Sequence, residues 1–346
     1  MTAAQTTPAT GTPAGLPLEP DAPWLAPLAG YSDLAFRLLC RENGAAAACT
    51  EMVSAKGLVY GSPGTEPLLD TCPDDEPLVV QVFGADPSFV ERAMGMLLER
   101  GLRWFDLNAG CSVRKVVRSG AGAALLRDPA LLARIAVTMV RQAGPGTCGV
   151  KLRLGWRGED GRAFLDAARR LEDAGVAWLA LHPRTAGQGF SGRADREALA
   201  RLKAAVSVPV LASGDLFTAR DAVDCLEHTG VDGIMFARGA MHDPGVFRRF
   251  LGLRRGRPEP GPDPAETARL IRRHAELARE HAQRHAQERR ALLRMRSAVP
   301  RYVRGLPGAS RVRMRLATCA SWGELDDIVE ELAAPPAPER AAETEE

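Results

Sequence analysis

Between Trp24 and Ala240 short apolar runs recur, each followed by a stretch of helical periodicity. They begin near Trp24, Ala46, Leu78, Trp104, Cys148, Ala177, Val208 and Val231. The mean spacing is about thirty residues, the length of a strand with its crossover helix. Runs such as Leu78-Val79-Val80-Gln81-Val82-Phe83 and Trp178-Leu179-Ala180-Leu181 are apolar on both faces, as strands covered by helices must be. The intervening segments are punctuated as helices. Asp86-Pro87 offers an N-cap and a first-turn proline, with Gly101 as the stop. Thr218-x-x-Asp221 opens another helix, which Gly230 ends. Eight successive strand-helix units predict a (β/α)8 TIM barrel, with chemistry at the carboxyl ends of its strands.

Beyond Phe250 the pattern changes. Arg255 to Pro264 is rich in Pro and Gly and reads as a linker. Leu270, His274, Leu277 and His281 then recur at helical spacing, Gly305-Leu306-Pro307-Gly308 is a turn, and Ser321-x-x-Glu324 caps a last helix. The predicted organisation is a disordered leader over 1–22, a barrel over 23–254, a linker over 255–264, a small all-helical C-terminal domain over 265–333 and a disordered acidic tail over 334–346.

Composition alters this picture in one respect. The 346 residues are 45% hydrophobic and 25% charged with a formal charge of +2, which is globular and ordinary in sum. Residues 253 to 316, however, hold seventeen Arg against six acidic residues, so this segment is +11 and the rest −9. A basic helical region on a near-neutral chain points to a polyanionic partner. Seven scattered Cys without a C-x-x-C pair argue against a disulfide framework or zinc ribbon and suit a reducing cytoplasm. No apolar run is long enough to span a membrane, so no membrane partner is expected. His281 and His285 stand four apart with no third ligand nearby, so no metal site is expected.

The unusual polar clusters follow the apolar runs. After the fourth comes Asp106-Leu107-Asn108-Ala109-Gly110-Cys111-Ser112-Val113-Arg114-Lys115. An arbitrary Cys is a small buried hydrophobe; this one is flanked by Gly and Ser on a loop beside Arg114 and Lys115, a setting for an exposed, electrostatically tuned thiol. Lys151 ends the fifth strand, and His182 with Arg184 the sixth. Only four of the forty-five Lys and Arg residues are Lys, so Lys151 stands against a strong bias toward Arg. Ser213-Gly214-Asp215 and Ala237-Arg238-Gly239 follow strands seven and eight, where barrels commonly seat phosphate. A phosphate seat beside a cationic mouth suits a phosphorylated cofactor such as FMN. No G-x-G-x-x-G follows a strand, so no separate nicotinamide domain is visible.

These segments, with Ala26-Pro27-Leu28-Ala29-Gly30-Tyr31-Ser32-Asp33, Thr50-Glu51-Met52-Val53-Ser54-Ala55, Gln81-Val82-Phe83-Gly84 and Gln188-Gly189-Phe190-Ser191-Gly192, resemble the tRNA-dihydrouridine synthase family in its own order. The Arg-rich tail is similar to the helical RNA-binding domain of the bacterial B-type. The resemblance implies an FMN enzyme that reduces the C5–C6 double bond of uridines in tRNA with NADPH; a monomer is expected. It implies that Pro27, Leu28, Ala29, Gln81, Lys151, His182, Ser213, Gly214, Asp215, Ala237, Arg238 and Gly239 hold FMN. Cys111 would be the general acid, Asn108 and Arg184 would meet the uracil, and Lys115, Arg311 and Arg313 the RNA. The chain has Ser112, Ala109, Pro183 and Ser213 where the family commonly has Pro, Met, Gly and Asn. A flavin barrel acting on a small molecule, or on ribosomal RNA, remains an alternative reading.

Overall fold

Each apolar run lies in a short parallel strand of the computed structural model, which describes residues 15–158, 163–284 and 288–334. The strands are β1 (Trp24–Leu25), β2 (Ala47–Cys49), β3 (Val53–Ser54), β4 (Leu78–Phe83), β5 (Trp104–Ala109), β6 (Cys148–Arg153), β7 (Trp178–His182), β8 (Val210–Ala212) and β9 (Gly233–Phe236). The ladder runs from β2 through β1, β9, β8, β7, β6 and β5 to β4, and β2 also pairs with β4, which closes an eight-stranded parallel barrel. Helices follow the strands around it.

The short strand β3 is a continuation of β2. Cys49 pairs with Val79 and Val53 with Val82, so three residues on one side face two on the other. This is a β-bulge. Thr50 bridges it, its N–H bonding to the Val79 carbonyl at 3.0 Å and its hydroxyl accepting from the Gln81 N–H at 3.1 Å.

Side chains alternate across each strand, so every second residue faces the barrel axis. Toward the amino ends these residues are apolar: Trp24, Ala47, Val79, Trp104, Trp178 and Leu211 form one buried cluster. Toward the carboxyl ends the same rows turn polar, with Gln81, Asn108, Lys151, Arg153 and His182 at the cavity described below. The segment before β1 joins the apolar cluster through Leu16 and Leu18, which are 2% and 4% exposed, and the Trp24 indole N–H bonds to the Pro17 carbonyl at 2.6 Å. The leader expected over 1–22 is thus packed from Leu16 onward, because its two leucines bury apolar surface against the tryptophans; residues 1–14 lie outside the described residues. Gly149 makes room for Trp178: a Cβ there would lie 2.0 Å from the indole ring. Gly149→Ala should destabilise the protein by about 1–3 kcal/mol through overpacking, read as a lowered denaturation midpoint; an unchanged midpoint would show that the core accommodates the methyl.

The helix ends follow the signals in the sequence. Asp86 accepts from the Ser88 N–H, Thr218 and Asp221 cap each other's backbone, and Gly230 ends its helix in a left-handed conformation.

The described chain divides into two units, one ending at Glu259 and the other beginning at Pro260. The second is built from helices Pro264–Arg284, Glu288–Ala298, Ala309–Thr318 and Trp322–Ala333. Its core holds Ile271, Ala275, Val303, Leu316 and Ile328. The buried His274 ring stacks on Tyr302 and meets the phenol oxygen at 2.9 Å. Arg279 pairs with Asp326 at 2.7 Å while lying over the Trp322 ring, which ties the first helix to the last. His285 and residues 335–346 lie outside the described residues. Among the described residues no helix is long and apolar enough to cross a membrane, and no three His, Cys, Asp or Glu side chains could hold a metal ion.

Candidate active site

At the carboxyl ends of the strands the barrel opens into a cavity with two lobes. One lobe, of about 140 Å³, is lined by Ser213, Gly214, Asp215, Leu216, Phe217, Ala237 and Arg238. The other, of about 240 Å³, is lined by Ala29, Met52, Gln81, Asn108, Gly110, Cys111, Val113 and Arg153. Pro27, Leu28, Lys151, His182 and Phe190 line both. The first loop is shaped by Ser32, whose hydroxyl accepts from the Leu28 N–H at 3.0 Å, and by Glu51, which accepts from Gly30 N–H at 2.6 Å.

The smaller lobe is a close meeting of two loops. Gly214 has φ +114°, and a Cβ on it would lie 2.6 Å from the His182 ring. A Cβ on Gly239 would lie 2.4 Å from the Leu216 carbonyl oxygen. Gly239 is therefore behind the lining rather than in it: it lets the loop after β9 touch the loop after β8. Arg238 stands between the Phe190 and Phe217 rings at 4.6 and 4.7 Å and bonds to Asp215 at 2.9 Å.

Arg184 does not face the cavity. It is 2% exposed and spends its guanidinium on Asp215, at 2.8 and 2.6 Å, and on the Ser191 and Gly192 carbonyls. The uracil contact expected of it is not what this geometry provides, because a planar fork already bonded on its edges to a carboxylate and two carbonyls is an internal brace. Lys115 likewise stays outside, exposed on the short helix Arg114–Arg118.

The Cys111 loop is pinned on several sides. Asn108 Oδ1 accepts from Gly110 N–H at 3.1 Å and Cys111 N–H at 2.9 Å; the Cys111 carbonyl accepts from Ala123 N–H at 2.9 Å; and Arg153 Nε donates to the Gly110 carbonyl at 2.8 Å. Arg153 also donates to the Thr185 and Gly189 carbonyls, so it joins this loop to the one after β7. Burial and the nearby Arg184 charge bring its pKa down to about 10, so it remains cationic at neutral pH. The Cys111 thiol is half-buried, and burial raises its pKa against the opposing influence of the Val113 N–H and the Arg153 charge. Arg114 and Lys115, the cations nearest in sequence, are not what tunes it.

Beneath the loop runs a chain of amides. Gln81 Nε2 donates to Asp106 Oδ2 at 2.7 Å, and Asn108 Nδ2 donates to Gln81 Oε1 at 2.7 Å. Both polar atoms of Asn108 are thereby engaged within the protein. Asp106 is 1% exposed, and burial raises its pKa; burial lowers that of Lys151, each charge partly opposing the shift of the other. His182 is held neutral, its pKa lowered to about 2 by burial and then by the Lys151, Arg153, Arg184 and Arg238 charges. Arg184 Nη1 lies 3.3 Å from His182 Nε2; a guanidinium only donates, so Nε2 accepts and the ring proton sits on Nδ1. Lys151, Arg153 and Arg238 line the cavity and Asp215 is the one carboxylate in its lining, which makes this mouth suited to an anionic ligand.

Fold and site together define a (β/α)8-barrel enzyme with a cationic cavity beside a half-buried thiol. The model of a family described as dihydrouridine synthase (Dus) matches residues 24–335, and the chain belongs to that family. It is 34% identical over 312 residues to the probable tRNA-dihydrouridine synthase 1 of Synechocystis sp., covering 88% of this chain and 84% of that one. It is 36% identical over 307 residues to tRNA-dihydrouridine synthase B of Pseudomonas aeruginosa, covering 86% and 90%. Among solved structures, 6-hydroxypseudooxynicotine amine oxidase from Pseudomonas geniculata N1 shares the barrel fold, with 14% identity and a TM-score of 0.53 over 76% of this chain and 52% of that one.

Proposed function

We propose that the protein is an FMN-dependent tRNA-dihydrouridine synthase of the cytoplasm, reducing the C5–C6 double bond of uridines with NADPH as reductant. The observation that supports it best is the Cys111 thiol, pinned at the rim of the cavity and kept protonated by burial.

The smaller lobe fits a phosphate. Gly239 lets the loop after β9 touch the loop after β8, Gly214 lets the loop after β8 lie against the His182 ring, and Arg238 stands at the wall. Ser213, Gly214, Asp215, Ala237, Arg238 and, from behind, Gly239 would hold the FMN phosphate; Pro27, Leu28, Ala29, Gln81, Lys151 and His182 would hold the ring. When bound, FMN supplies a hydride to C6 of the uracil. Lys151 would bring a cation to the ring, and neutral His182 would offer a hydrogen bond without adding charge. Cys111 gives its proton to C5: the S–H bond breaks, a C5–H bond forms, and the thiolate regains a proton from solvent. Phe190, Met52 and Leu28 contribute apolar surface to the cavity wall.

Drawing one uridine out of a folded RNA costs a few kcal/mol that backbone contacts must offset. The helical unit is suited to supply them: Arg269, Arg272, Arg289, Arg290, Arg311 and Arg313 are exposed. Arg315 is different, being paired with Glu331 on the last helix. Replacing Arg311 and Arg313 together by Gln should weaken tRNA binding without altering the fold, and reduce the slope of log affinity against log salt by about one for each phosphate that is no longer neutralised. An unchanged slope would remove them from the interface. The overall reading is tested by incubating the reconstituted protein with NADPH and an unmodified tRNA transcript and measuring dihydrouridine by mass spectrometry. Absence of product with a fully FMN-loaded protein would refute it.

A further inference from the structure

We infer that Asp106 is a positioning residue: through Gln81 and Asn108 it fixes the orientation of two side-chain amides and thereby the Cys111 loop. The inference rests on the reading of Cys111 as the proton donor.

Hydrogen-bond parity sets each amide in turn. A primary amide has a donating and an accepting end. Asp106 Oδ2 stands 2.7 Å from Gln81 Nε2, so the NH2 of Gln81 faces the carboxylate and its oxygen faces the other way. That oxygen accepts from Asn108 Nδ2 at 2.7 Å, which turns Asn108 Oδ1 toward the backbone N–H groups of Gly110 and Cys111. Had either amide the opposite orientation, two donors or two acceptors would face each other in a buried place, at a cost of about 1–3 kcal/mol. The chain spans β5, β4 and β5 again, in register, since Gln81 is paired with Asp106 across the ladder. A strand-borne acceptor thus sets the orientation of a loop five residues further on. The other oxygen of Asp106 has no hydrogen-bond partner among the described residues, so the carboxylate is not there to satisfy a second structural donor. Gln81 keeps one further N–H and a lone pair, so the chain is compatible with this residue also meeting a cofactor.

The test reads the loop directly. Peptide-resolved alkylation of Cys111 by iodoacetamide is followed from neutral to alkaline pH in the FMN-loaded enzyme, with the half-buried Cys72 as internal control. Asp106→Leu removes the acceptor; Asp106→Asn keeps a carbonyl for Gln81 and removes the charge. In Asp106→Leu the Cys111 midpoint should fall toward that of an ordinary thiol as the loop loosens, and turnover should drop by about 100-fold with KM for tRNA unchanged. Asp106→Asn should restore both to near the parent values, which a purely electrostatic role would not allow. A Cys111 profile unmoved by Asp106→Leu, or an Asp106→Asn protein as impaired as Asp106→Leu, overturns the inference. If Asp106→Leu does not accumulate as folded protein, Gln81→Leu cuts the same chain one link on and must reproduce the alkylation shift. Should Cys111→Ala keep full turnover, the proton-donor reading has failed, and the alkylation profiles still decide the relay.

Discussion

Cys111→Ala protein should retain its FMN and its affinity for tRNA yet form dihydrouridine about 100- to 10,000-fold more slowly, the range that a positioned general acid contributes. The thiol lines the cavity, and beyond the Val113 N–H that meets its sulfur its loop is held by Asn108, Ala123 and Arg153, so its removal leaves the loop in place. The pH dependence has a definite sign. A proton donor acts in its protonated form, and burial raises the pKa of this thiol above the ordinary value. Turnover should therefore hold across the neutral range and fall only as pH rises through the raised pKa, and that alkaline limb should vanish in Cys111→Ala. Single-turnover oxidation of the reduced enzyme by tRNA, followed across pH, measures it. Retained turnover, or an alkaline limb that survives the substitution, would take Cys111 out of the reaction.

A second large effect is expected at the phosphate seat. In Gly239→Ala the new methyl would stand 2.4 Å from the Leu216 carbonyl and 3.1 Å from that of Phe217. Both are backbone atoms, so the clash is relieved only by parting the loops after β8 and β9. The strain is on the order of 1–3 kcal/mol. If the loops part only when FMN is absent, affinity falls by roughly 5- to 150-fold. The purified variant should be folded by circular dichroism, pale, and reconstituted only at high FMN concentration. A variant that purifies with a full complement of FMN would show that the seat does not depend on this close approach.

Much of this protein can be read along the chain. The eight apolar runs predict the eight barrel strands to within two residues, because strands buried on both faces must be apolar throughout, and helix caps such as Asp86, Thr218 and Ser321 act within four residues of chain. The cavity gathers Pro27, Leu28, Ala29, Gln81, Asn108, Cys111, Lys151, His182, Ser213, Gly214, Asp215, Ala237 and Arg238, all of them marked by unusual residues at strand ends. What escaped the sequence has a common character. Leu16 and Leu18 look like a polar leader's occasional leucines until Trp24, Trp104 and Trp178 are seen beside them. The bulge that divides β2 from β3 adds one residue to a strand, and only the pairing partner reveals it. Arg184 follows a strand end as a ligand-binding residue would, yet Asp215, thirty-one positions away, claims it. Arg153 leaves no mark in the sequence beyond its place two residues after Lys151, and its three acceptors are backbone carbonyls, which every residue has.

The sequence by itself therefore determined the barrel, the helical appendage, the charge partition between them and the roster of polar residues at the mouth. Periodicity, caps and composition are local quantities, and each is set within one element. The tertiary structure alone decided which of those polar residues face the cavity and which brace one another. Hydrogen-bond partners and burial depend on atoms brought together across the barrel, and an identical side chain at an identical strand end becomes ligand or strut according to what the neighbouring strand presents to it.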